Sequence, residues 1–75
     1  MFKVSATADR ATAERLSDLL AGMDPSPAAA VSTEEATRTS WRLDAFCSDE
    51  EAAEACVRII DLEANGLSAS FEKLP

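Results

Sequence analysis

The sequence predicts an α+β fold, a four-stranded antiparallel sheet with two helices on one face. Three observations lead there. Several short stretches alternate apolar and polar residues, two longer ones repeat apolar residues at helical spacing, and the order is strand, helix, strand, strand, helix, strand.

In "FKVSATA" Phe2, Val4 and Ala6 alternate with Lys3, Ser5 and Thr7, which predicts a first strand with one packed and one polar face. The next stretch, "DRATAERLSDLLAGM", places Ala13, Leu16, Leu19, Leu20 and Met23 on one side of a helix and Arg10, Glu14, Arg15 and Asp18 on the other. Asp9 is its expected N-cap. Gly22 and the "DPSP" segment end it, because proline lacks an N–H and disfavours helix in the residue before it.

"AAAVSTEEATRT" is ambiguous, since Ser32 and Glu35 match a capping-box spacing but no apolar helical stripe follows. It is read as a second strand over residues 28 to 34, turning near Ala36 to Arg38. "TSWRLDAFCSD" is the third strand, with Trp41, Leu43, Ala45 and Cys47 inward and Arg42, Asp44 and Phe46 outward. Trp41, the only tryptophan, is read as core because so large a ring dominates a small interior.

Ser48 with Glu51 forms a capping box ahead of "EAAEACVRIIDLEA", where Ala52, Cys56, Ile59 and Ile60 share a face. Asn65 and Gly66 supply the left-handed stop, and "LSASFEKLP" carries Ala69 and Phe71 inward on a last strand. Two right-handed crossovers flanking a hairpin give the ferredoxin-like sandwich, βαββαβ, over a single domain of residues 1–75. One sheet face stays uncovered.

Fourteen acids against seven bases give a net charge of −7, which repels phosphate backbones and anionic lipid. Nucleic acid and membrane surfaces are therefore unexpected partners; an acidic balance is first of all the commonest way a small domain stays soluble, and a basic protein segment is a natural partner for it. The N-terminal "MFKVSATADR" has no long apolar run, so neither a signal peptide nor a membrane span is expected there. A cytoplasmic monomer is the expectation.

Catalysis by an activated serine or cysteine uses a neighbouring base, and the chain contains no histidine. Only two glycines occur, so no clustered glycine loop is present to cradle a phosphate. Cys47 and Cys56 are expected to face one another as small buried thiols, too few for a zinc site. Glu34 and Glu35, and the group Asp49, Glu50, Glu51 and Glu54, are expected to be solvated or helix-capping rather than catalytic. No catalytic, cofactor-binding or metal-binding residue is assigned.

The stretches "FKVSATADRATAERLSDLL", "TSWRLDAF" and "FEKLP" resemble the N-terminal domain of the PrmA family, S-adenosylmethionine-dependent methyltransferases of the large-subunit ribosomal protein L-eleven. The similarity spans essentially the whole chain. It implies a ferredoxin-like domain that recognises the ribosomal protein, while a separate Rossmann-like domain holds S-adenosylmethionine and transfers the methyl groups. On that resemblance the catalytic half is expected outside these 75 residues, so no cofactor is expected in this chain and no activity from it alone. The expected protein-binding surface is the open sheet face, with Lys3, Ser5, Arg42, Asp44 and Phe46. A freestanding interaction module or an ACT-like regulatory domain shares the order of elements, although "ATADRA" lacks the glycine that an ACT-type ligand loop usually carries. The acylphosphatase variant of the fold is disfavoured because "SATADRAT" forms no glycine-rich phosphate cradle.

Overall fold

A computed structural model describes residues 1–64, 67 and 69–75. Its elements are β1 (Phe2–Ala8), α1 (Arg10–Gly22), β2 (Ala30–Glu35), β3 (Trp41–Cys47), α2 (Glu50–Glu63) and β4 (Ala69–Lys73). The strands form one antiparallel sheet in the order β2-β3-β1-β4. β1 and β2 both run opposite to β3, and α1 joins them across that strand; α2 joins β3 to β4 across β1 in the same way. This is the ferredoxin-like arrangement.

The register pairs Phe2 with Cys47, Val4 with Ala45 and Ala6 with Leu43, so the apolar positions of β1 and β3 lie side by side beneath the helices. They meet Leu16 and Leu20 of α1 and Ala53, Cys56 and Ile60 of α2 in one buried cluster. Alanine and cysteine at its centre keep the layers close together, and each buried leucine or isoleucine contributes about 1.5–3 kcal/mol. Phe2 and Phe71, as expected from the inward reading of β4, close one end of the cluster with rings edge to face at 6.0 Å.

Both helix starts are capped by aspartate. Asp9 accepts from the Thr12 N–H at 2.7 Å, and the same geometry recurs at Asp49, which accepts from the Ala52 N–H at 2.7 Å. The cap expected at Ser48 is therefore displaced by one residue: α2 begins at Glu50, and the Asp49 carboxylate rather than the Ser48 hydroxyl meets the free amides. At the other end of α1, Ser26 donates to the Leu20 carbonyl at 2.6 Å and accepts from the Ala28 N–H, so the serine of "DPSP" folds back on the helix end. The Asp24–Pro25 peptide bond in this loop is cis. The stop expected at Asn65 and Gly66 lies outside the described residues.

Other expectations shift in detail. β2 occupies Ala30–Glu35, and the turn is a longer loop over residues 36–40, in which the Ala36 and Thr37 N–H groups donate to the Ser40 carbonyl. Leu19, expected inward, is 36 % exposed, because Leu16 and Leu20 already fill the stripe that α1 turns to the sheet. Arg15 reaches from α1 to the last turn of α2, donating to the Glu63 carbonyl at 3.0 Å and placing a cation where the helix dipole is negative.

Candidate functional site: the uncovered sheet face

Successive side chains of a strand point to opposite faces, so a buried Val4, Ala6, Leu43 and Ala45 send Lys3, Ser5, Thr7, Arg42, Asp44 and Phe46 to the side away from the helices. The register then sets their neighbours. Phe46 lies between Ala30 and Lys3, Asp44 between Ser32 and Ser5, and Arg42 between Glu34 and Thr7. Glu72 and Ser70 of β4 lie beside Lys3 and Ser5. All five residues expected to form the surface thus share one face.

That face is a connected polar pattern. Asp44 accepts from Ser5 Oγ at 2.8 Å through one carboxylate oxygen and from Arg42 Nε at 3.1 Å through the other. The second edge of the Arg42 guanidinium donates from Nη2 to Glu34 Oε1. Lys3 faces Glu72 across the strand at 3.4 Å. A shallow hollow of about 280 Å³ beside these groups is lined by Lys3, Ser5, Ser70 and Glu72, among others.

Two sequence expectations change here. Asp44, expected on the wet side, is only 7 % exposed despite having no helix above it. Its neighbours on three strands close around it, and their hydrogen bonds replace the water it has lost. Glu34, expected to be solvated, is exposed and lies within β2, but it is not unpartnered: it stands opposite Arg42 and shares that arginine with Asp44. Glu34 and Glu72 are the residues of this surface that sequence reasoning missed, because only the strand register brings them beside Arg42 and Lys3.

Trp41 is half-buried and stands outside the core cluster, which corrects its reading as a core residue. It begins β3 beside Ala8 and Glu35, and the Arg10 guanidinium lies 5.2 Å from its ring centroid. A cation over the indole face replaces the apolar packing that the interior would have supplied. Arg10 also pairs with Glu14 at 3.0 Å.

Cys47 and Cys56 face one another as the spacing predicts, both fully buried, with sulfurs 3.5 Å apart. Burial, and then the neighbouring Cys47 thiol, pushes the Cys56 thiol up from 9.0 to about 12, so it stays protonated and unreactive at neutral pH. Among the described residues, no group of three or more His, Cys, Asp or Glu side chains converges to hold a metal ion, and no helix is long and apolar enough to cross a membrane. Compared with known protein families, curated proteins and solved structures, the chain matches none.

Proposed function

We propose that this domain is a non-catalytic recognition module that holds a basic polypeptide on its uncovered sheet face. The observation that carries the reading is the fixed pattern at the centre of that face: Asp44 held by Ser5 and Arg42, with a half-exposed Phe46 in the adjacent row. A surface already ordered by its own hydrogen bonds loses little side-chain freedom on binding, and an aromatic ring on it supplies an anchor. The net charge of −7 adds long-range attraction for a cationic partner, which speeds encounter and orients it.

Within this reading, the resemblance to the PrmA family names the partner as ribosomal protein L-eleven, presented to a separate S-adenosylmethionine-dependent domain. Support comes from the ferredoxin-like order of elements and from the placement of the five expected residues on one face. Titration calorimetry with isolated ribosomal protein L-eleven tests the proposal. Saturable binding is expected, weakened about tenfold by Phe46→Ala. An absence of binding, or equal affinity for the variant, would overturn it.

A further inference from the structure

The acidic charge is unevenly distributed. Five acids are held in ion pairs, namely Glu14, Glu34, Asp44, Glu63 and Glu72. At the start of α2 the situation reverses: Asp49, Glu50, Glu51 and Glu54 have no cation within ion-pair distance among the described residues, and neither does Asp24 in the loop after α1. Asp9, Asp18, Glu35 and Asp61 are likewise outside any ion pair, so this end holds five of the nine acids without a paired cation.

Between the loop and α2 runs a groove of about 420 Å³. Met23, Pro25 and Pro27 form one wall, and Ala52, Ala55 and Ile59, a single stripe along α2, form the other. Met23, Ala52 and Ile59 also pack against the core, so the floor is continuous with the interior. The two alanines leave room that larger side chains would fill. Ser26, Asp49 and Glu51 complete the lining.

We propose that this groove docks a basic peptide segment, seating one apolar side chain between the prolines and the alanines while flanking lysines or arginines meet the carboxylates at the rim. Apolar contact supplies the anchor, and the unpaired acids select the cationic flanks. A second copy of this chain is a poor occupant, since it also carries a charge of −7 and brings like charge to an acidic rim. A phosphate-bearing ligand is repelled for the same reason. The inference does not depend on the open sheet face, because the groove belongs to the helical layer.

The test is an amide chemical-shift titration of the labelled chain with a short synthetic peptide in which lysines flank one central leucine. Shifts are expected at Ala52, Ala55, Ile59 and Ser26. Ala55→Arg, which fills the groove and adds positive charge, should weaken binding about tenfold or more. Because a misfolded variant would also fail to bind, Glu51→Gln on the exposed rim provides a second reading, expected to be about two- to fourfold weaker. Replacing the peptide's leucine by glycine should cost about tenfold. No binding, shifts confined to the sheet face, equal affinity for the glycine peptide, or a dimer of the chain that occupies the groove would each overturn the proposal. Peptide binding without binding of ribosomal protein L-eleven would overturn the open-face reading and leave this one standing.

Discussion

Asp44 is buried on a face with no helix above it, and Ser5 and Arg42 occupy both of its carboxylate oxygens. Removing either partner strands a group that is 7 % exposed. Arg42→Ala should therefore destabilise the domain by about 1–3 kcal/mol in urea unfolding, more than an ordinary exposed arginine would cost. A loss indistinguishable from zero would mean that water replaces the guanidinium freely. The buried thiols give a second prediction. Cys56 binds its proton more tightly when folded, so its contribution to stability is fully present below pH 9 and declines as pH rises from there toward about 12. Unfolding midpoints measured across that range should fall, and Cys56→Ala should flatten the decline; an unchanged slope in the variant would assign the alkaline loss to other groups.

The helices divide their ends between residue types in ways that mutation can separate. Asp49→Ala should cost about 1 kcal/mol by removing the cap on the Ala52 amide, whereas Ser48→Ala should stay within about 0.5 kcal/mol. The reverse ranking would restore Ser48 as the cap. At Gly22 the backbone is helical, and an added Cβ would meet nothing within 4 Å. Gly22→Ala should therefore raise stability by about 0.5–1 kcal/mol in thermal unfolding, since only the unfolded chain benefits from the glycine. A destabilised variant would show that the helix end relies on glycine after all.

Element type was readable in the sequence because apolar periodicity directly records which side of a strand or helix meets the core. Val4, Ala6, Leu43, Ala45 and Leu16 all lie where that periodicity puts them. What periodicity does not contain is register. Whether Glu34 faces Arg42, and Glu72 faces Lys3, depends on how strands distant in sequence slide past one another. Trp41 misled for a related reason: its parity is that of the buried row, but it begins the strand, where Arg10 covers its ring instead of the interior. The Ser48–Glu51 pattern failed because Asp49 is an equally good cap and lies one residue closer to the helix.

For the molecule as a whole, shape and charge are separated. On the open face Lys3 and Arg42 lie among Glu34, Asp44 and Glu72, so its charges largely offset one another, while α2 and its cap carry six acids against the single Arg58. On the proposed reading, attraction at a distance would come from the helical layer and fixed contact from the sheet. Affinity for a basic partner should consequently fall as salt rises, through slower encounter rather than faster release, which stopped-flow association at two ionic strengths would resolve. A salt effect found only in the dissociation rate would contradict that division. The central claim, that the bare side of the sheet is the recognition surface, is tested most directly by mapping amide shifts of the labelled domain on addition of ribosomal protein L-eleven. The account predicts perturbation at Lys3, Ser5, Arg42, Asp44 and Phe46; shifts restricted to α1 and α2, with the sheet strands unmoved, would contradict it.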